Sequence, residues 1–332
     1  MASHIVLLLV SLAVILAGAE VFTNSVEWLG KKLNLGAGAV GSVFAAVGTA
    51  LPETLIPVVA ILGGGAGSAG HDIGIGAILG APFMLATLAM FVTGLAGLIV
   101  HKNNYRMDCI EAVMKRDMRF FMLVYTVAIV ASFLPRPLKL AASGFLVGAY
   151  IFYVYSTIKS SRAESDDEHD LKPLYLKRKS DNPSLGFVLL QVFLALGIII
   201  TGAYLFVGEV QVVATVLGTP VLVLSLIITP IATELPEKFN SIIWVSQGKD
   251  TLALGNITGA MVFQSSLIPT LGILLTSWEL EPLALFSAVL ALGAVLYQYT
   301  GLAGRHGLRP SHLMAGGLFY LVFLIVALTG LL

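Results

Sequence analysis

The chain has 332 residues, 57% hydrophobic and only 11% charged, with a mean hydropathy of +0.92. That is a membrane composition, and no stretch has the look of a soluble domain. Nineteen basic and nineteen acidic residues cancel, which gives no hint of a nucleic-acid partner, and the single cysteine, Cys109, excludes an intramolecular disulfide framework.

Apolar runs of bilayer length, about 20 residues each, fall near 5–29, 38–62, 73–100, 119–134, 140–158, 185–207, 220–246, 251–276, 283–303 and 313–332. They predict an all-α polytopic membrane protein with ten transmembrane helices. The first run lacks a positively charged n-region, so it is read as a span and not as a signal peptide. After the second span, "GGGAGSAG" (Gly63 to Gly70) has no lysine and no "GK[ST]", which points to a flexible hinge and not to a phosphate loop. Ahead of the fourth, "NNYRMDCIEAVMKRDMR" places Tyr105, Met107, Ile110 and Met114 on one face and reads as an interfacial amphipathic helix. Residues 159–184 carry mixed charges without periodicity and read as a solvated linker; their cluster Asp166, Asp167, Glu168 and Asp170 lacks the spacing of an EF-hand loop.

With ten spans, sixteen of the nineteen Lys and Arg residues fall on one side of the membrane and only Arg136 and Lys139 on the other; Lys238 lies inside a span. Positive charge accumulates on the cytoplasmic side. The prediction is a cell-membrane protein with both termini outside and the central loop in the cytoplasm.

The chain also repeats itself. At an offset of 184 residues, Gly18-Ala19 meets Gly202-Ala203, Phe22 meets Phe206, and Thr49, Leu51, Pro52, Glu53 meet Thr233, Leu235, Pro236, Glu237. At an offset of 179, "GAILGA" (Gly76 to Ala81) meets "GNITGA" (Gly255 to Ala260). The domains are thus a first repeat over 1–158, the linker over 159–184 and a second repeat over 185–332. Five spans is an odd number, so the second copy enters the membrane from the opposite side. Two inverted five-helix repeats are the signature of alternating-access transporters with a site near mid-membrane.

Within the repeated segments, Pro52 and Pro236 are expected to break or bend their helices, because proline removes a donor and clashes with the preceding turn. Carbonyls freed at that depth need partners, and a cation is a natural one. Beside each proline stand a hydroxyl (Thr49, Thr233) and a carboxylate (Glu53, Glu237), hard oxygen donors of the kind Ca²⁺ and Na⁺ prefer. Small residues Gly76, Ala77, Gly80 and Ala81, and Gly255, Gly259 and Ala260, are expected to permit close helix packing. Asn256 and Thr258 are expected to add side-chain oxygens to the same region, with Gln264, Ser265 and Ser266 two turns on. Glu234 is read either as a third ligand or as the i, i+4 ion-pair partner of Lys238. Glu20 in the first span either lines the ion path or caps a helix end.

The run "GAEVF…GKKLNLGAGAVGSVFAAVGTALPET", with its echo "ITPIATELPEKF…DTLALGNITGAMVF", resembles the two alpha-repeats of the cation/calcium exchanger superfamily, most closely its sodium/calcium exchanger branch. The resemblance covers both halves. It implies alternate binding of Ca²⁺ and Na⁺ at carboxylates matching Glu53 and Glu237, helped by Thr49 and Thr233, with the first and sixth spans sliding to switch access. The family usually has Ser between the Thr and the Leu, where this chain has Ala50 and Glu234. It usually has Asn or Asp after the Gly of the second element, where this chain has Ala77 and Asn256.

The expected function is therefore a secondary antiporter that expels Ca²⁺ against Na⁺ entry, with metal ligands Glu53, Glu237, Thr49, Thr233, Asn256 and Glu234. No cofactor is expected, and the partners are the transported ions and the lipid bilayer. Coupling to H⁺ in the same fold is the alternative. A cation channel is disfavoured because an inverted repeat with a central site does not make an open symmetric path. An enzyme is disfavoured because no His or Cys falls at depth to serve as base, nucleophile or metal ligand.

Overall fold

The structure is a computed structural model that describes residues 2–32, 50–63, 68–101, 107, 109–161, 172–180, 182–304 and 307–331. Among the described residues every regular element is helical. Helix α1 is Ala2–Lys32, α2 Leu51–Gly63 and α3 Ser68–Met84; a π-helical turn, Leu85–Ala89, carries α3 into α4, Met90–His101. Then follow α5 Glu111–Ala131, α6 Arg136–Ser161, a 3₁₀ turn Tyr175–Lys177, α7 Leu185–Leu217, α8 Val221–Ser246, α9 Asp250–Leu275, α10 Pro282–Ala303 and α11 Pro310–Thr329. Among the described residues, seven helical stretches are long and apolar enough to cross a membrane, including Ser3–Lys32, Ala69–Val100, Leu185–Leu217 and Asp250–Leu275. Their outward faces carry large apolar residues such as Val6, Ile151, Phe193 and Leu318, all more than half exposed, as expected of surfaces that meet lipid.

Helices α1 and α7 pack along each other in antiparallel fashion. His4 Nδ1 lies 2.9 Å from Glu209 Oε2 at one end of the pair, and Gln191 Nε2 donates to Ser25 Oγ at 2.9 Å at the other. The helices cross at glycines. A Cβ on Gly18 would stand 2.8 Å from the Ile199 side chain, and one on Gly202 would stand 2.8 Å from Ile15. Both glycines belong to the Gly-Ala pairs that the repeat aligns.

The described part of the linker does not float free in solvent. Leu174 is fully buried against Trp28 and Val188. Trp28 Nε1 donates to Lys172 O at 2.9 Å, and the Leu176 N–H donates to Gln191 Oε1 at 2.8 Å. Tyr175 Oη donates to Glu20 Oε1 at 2.8 Å, so exposed Glu20 serves this docking contact. Buried backbone groups are expensive to leave unpaired, and Asn24 and Gln191 supply the partners.

Two expectations are corrected here. The stretch before the fourth span is not a separate interfacial helix: from Glu111 onward it is the first half of α5, with Met114, Asp117 and Met118 buried. Burial of that face against α6 and α9 wins over the interface, because Met114, Met118, Phe121 and Tyr125 continue one apolar stripe at helical spacing. Nor does Pro236 break its helix, since α8 runs unbroken from Val221 to Ser246. One missing hydrogen bond is tolerated where neighbouring helices hold the segment on both sides.

Two polar devices close the bundle. Arg136 Nη1 donates to Ile273 O and Thr276 O at 2.6 and 2.7 Å, and buried Lys139 donates to Ser277 O and Trp278 O at 2.7 and 3.2 Å. Arg136 satisfies the last carbonyls of α9 and Lys139 those of the turn just past it, and both cations complement the negative end of the helix. At the π turn, Gln298 Nε2 donates to Ala86 O at 2.9 Å. A wider turn disturbs the i→i−4 ladder, and here a side chain from α10 takes up one of its carbonyls.

Candidate functional site

The repeated motifs converge on four helices. α2, α3, α8 and α9 contact one another in all six pairings, so the two halves of the chain meet there. Helix α2 begins at Leu51 with Pro52 in its first turn, where the missing N–H costs nothing. The carbonyl of Ala50 is not left for a cation: the Thr54 N–H and hydroxyl donate to it at 3.1 and 2.7 Å. Glu53 follows, 6% exposed, in the positive first turn of α2.

Helix α3 presses on α8 through its small residues. A Cβ on Gly76 would stand 2.7 Å from Ser225 Cβ, and one on Gly80 would stand 2.6 Å from both Leu226 O and Pro230 Cγ. Ser225 Oγ donates across the seam to Ile73 O at 2.8 Å. The expectation of close packing therefore holds in the first copy. In the second it does not: among the described residues nothing stands within 4 Å of a Cβ built on Gly255, and Gly259 is 3.8 Å from Tyr153 Oη.

On α8, Ser225, Thr229 and Thr233 recur every fourth residue, so they line one buried face. Thr233 Oγ1 donates to Thr229 O at 3.1 Å. Glu234, 1% exposed, accepts a hydrogen bond from Gln264 Nε2 of α9. Gln264 is itself buried, and its own carbonyl oxygen has no hydrogen-bond partner among the described residues. The side chains of Glu237 and Lys238, with the Glu234–Lys238 ion pair expected from them, lie outside the described residues, as does Thr49.

Asn256 is half-buried on α9. Thr258 is not directed where the sequence suggested: its hydroxyl donates to Asp117 Oδ2 of α5 at 2.9 Å. Two residues along a helix is more than half a turn, so Asn256 and Thr258 cannot share a face. Among the described residues no three His, Cys, Asp or Glu side chains gather as a metal cluster. The described buried polar side chains on these helices are of mixed kind: carboxylates (Glu53, Glu234), hydroxyls (Thr229, Thr233) and a side-chain amide (Gln264). Sequence reasoning missed Asp117. The signal was its spacing, since it falls between Met114 and Phe121 on the apolar stripe of α5.

Residues 3–159 and 187–331 match the family described as sodium/calcium exchanger protein. The chain belongs to the sodium/calcium exchanger protein family. Members of this family are membrane transporters, and the protein is accordingly a multi-pass antiporter of the membrane and not an enzyme. It is 26% identical over 284 residues to inner membrane protein YrbG of Escherichia coli (strain K12), a match covering 84% of this chain and 82% of that protein. It is 25% identical over 273 residues to the putative antiporter CaxA of Alkalimonas amylolytica, covering 81% and 79%. Among solved structures, the fold matches that of an H⁺/Ca²⁺ exchanger, CAX, with a TM-score of 0.71 at 16% identity over 97% of this chain and 82% of that one. It also matches a sodium–calcium exchanger, NCX_Mj, soaked with Na⁺ and Sr²⁺, with a TM-score of 0.58 at 19% identity over 98% of each chain.

Proposed function

We propose that the protein expels Ca²⁺ in exchange for Na⁺ entry, by alternating access at a site between α2, α3, α8 and α9. Glu53 and Glu237 bind the ion, Thr49, Thr233 and Asn256 assist, and Glu234 adjusts the charge. The observation that carries this reading is that buried Glu53 and Glu234 come from opposite halves of the chain and sit on helices in mutual contact. Carboxylates held together in a low-dielectric interior repel one another unless a cation balances them. A divalent ion that leaves must therefore be replaced by monovalent cations or protons, which is the physical basis of exchange.

Ten spans arranged as two inverted repeats, 1–158 and 185–332 around the linker 159–184, fit this mechanism. The crossing of α1 and α7 at Gly18 and Gly202, which the repeat aligns, supports that arrangement. The family match likewise falls in two blocks, 3–159 and 187–331. The distribution of Lys and Arg supports termini outside and the linker in the cytoplasm.

A second reading, Ca²⁺/H⁺ exchange in the same fold, rests on Glu234. It places a further buried carboxylate against a neutral amide where the family usually has Ser. The test is ⁴⁵Ca²⁺ uptake into proteoliposomes under an opposed Na⁺ or pH gradient, with Glu53→Gln and Glu237→Gln alongside. Uptake driven by Na⁺ and lost in both variants is expected. Uptake driven only by pH moves the assignment to H⁺ coupling, uptake indifferent to either gradient points to a channel, and wild-type flux in both variants sinks the site.

A further inference from the structure

We propose that Asp117 is a positioning residue for the cation site: through Thr258 it fixes the rotation of α9, and so the direction in which Asn256 and Gln264 point. This rests on the assignment of the α8–α9 contact to cation binding. Asp117 lies on α5, outside both repeated motifs, and is 2% exposed. Its Oδ2 accepts the Thr258 hydroxyl at 2.9 Å, while its Oδ1 accepts Arg116 Nε and Nη2 at 3.1 and 3.0 Å. The Arg116 guanidinium in turn lies 5.2 Å over the Tyr153 ring of α6. Three helices are thus stitched at one point.

A buried carboxylate is costly alone, but this one is paired with the adjacent Arg116 guanidinium. What remains is a fixed, charge-assisted acceptor for one hydroxyl of α9, stronger than a neutral contact. The need for such an anchor follows from the packing. In the first copy, Gly76 and Gly80 set the register of α3 by backbone contact with α8. In the second copy, among the described residues, Gly255 meets nothing within 4 Å and Gly259 only Tyr153 Oη at 3.8 Å. These two glycines therefore do not set the rotation of α9; buried Leu254, Ile257 and Met261 pack it without direction, and the Thr258–Asp117 hydrogen bond adds the directional contact at this level.

The helical period then fixes the other side chains. At about 100° per residue, Asn256 lies about 160° from Thr258, and Gln264 lies about 80° from Asn256. With Thr258 held toward α5, the opposite half of α9 faces α8, where Gln264 meets Glu234. A turn by one residue would break both contacts together.

The test compares Thr258→Val, which removes the hydroxyl at constant shape, with Thr258→Ser, which keeps it, and Asp117→Asn. Reconstituted protein is assayed for KM and kcat of ⁴⁵Ca²⁺ uptake. The sole cysteine, Cys109, lines a small cavity with Gly255 and Thr258, so its rate of maleimide labelling reports the α5–α9 seam without any Ca²⁺. Thr258→Val and Asp117→Asn are expected to raise KM about fivefold, the worth of one hydrogen bond, with kcat nearly unchanged and Cys109 labelled faster. Thr258→Ser should match wild type, and in an Asn256→Ala background Thr258→Val should raise KM no further. An unchanged KM with only a lower melting temperature overturns the proposal, as does a Ser variant as impaired as the Val variant. Should wild-type protein move no ⁴⁵Ca²⁺ under any gradient, the exchanger reading fails, and the labelling rates alone decide whether the anchor exists.

Discussion

Replacing Gly80 by alanine tests the contact on which the two halves of the site meet. An alanine in a helix interior is intrinsically better than glycine, by up to about 1 kcal/mol. Against that, the new methyl would stand 2.6 Å from Leu226 O and 2.6 Å from Pro230 Cγ. Ordinary contact begins near 3.4 Å, so α3 and α8 must separate by about 0.8 Å, and neither a backbone carbonyl nor a proline ring can swing aside. Overpacking of this kind costs about 1–3 kcal/mol, which outweighs the helix-propensity gain. Gly255 is the internal control, because among the described residues a methyl there meets nothing within 4 Å and the gain in helix propensity decides the sign. In thermal melts of detergent-solubilised protein, Gly80→Ala should therefore lower the midpoint and Gly255→Ala hold or raise it. Equal shifts in the two variants, or a stable Gly80→Ala with full ⁴⁵Ca²⁺ exchange, would refute the claim that close approach of α3 and α8 holds the site together.

Lys139→Met should cost about 1–3 kcal/mol in the same melts, because it strands the buried carbonyl of Trp278 and removes a partner of Ser277 O; a variant as stable as wild type would show that other groups satisfy the turn after α9. Gln191→Leu removes the partner of the Leu176 N–H and of Asn24, so a Lys-specific protease should cut the linker at Lys172 or Lys177 about tenfold faster as local opening becomes easier. Glu234→Gln should keep Na⁺-driven ⁴⁵Ca²⁺ flux while altering its KM. If the variant instead loses the pH dependence of flux, Glu234 carries the coupling proton.

The rhyme of Glu53 and Glu237 was legible because proline, threonine and a charge in an oily run are improbable without a use. The tight seam at Gly76 and Gly80 was legible for the same reason, since glycine in a buried helix signals close approach. Thr258 was misread because "GNITGA" was treated as one polar patch, whereas its alternate residues point to opposite sides of α9. Asp117 was overlooked because its neighbours Lys115, Arg116 and Arg119 made the stretch look interfacial. Its burial depends on α6 and α9, which lie far away in sequence. The linker's docking was likewise invisible, because its anchors, Asn24, Trp28 and Gln191, sit one on each side of a long excursion of the chain.

What the sequence determined by itself was the solvent and the pairing of motifs. Composition demanded a bilayer, the period of apolar residues demanded helices, and the repeat demanded that Glu53 and Glu237 be considered together. Hydrophobicity and local backbone preferences act along the chain, so they can be read from it. Tertiary structure alone decided which way each helix is turned: that Glu234 faces Gln264, that Thr258 faces Asp117, and that Ala50 gives its carbonyl to Thr54. Rotation about a helix axis costs nothing in local energy. It is fixed only by the neighbours that a helix meets, and those are known only once the fold has closed.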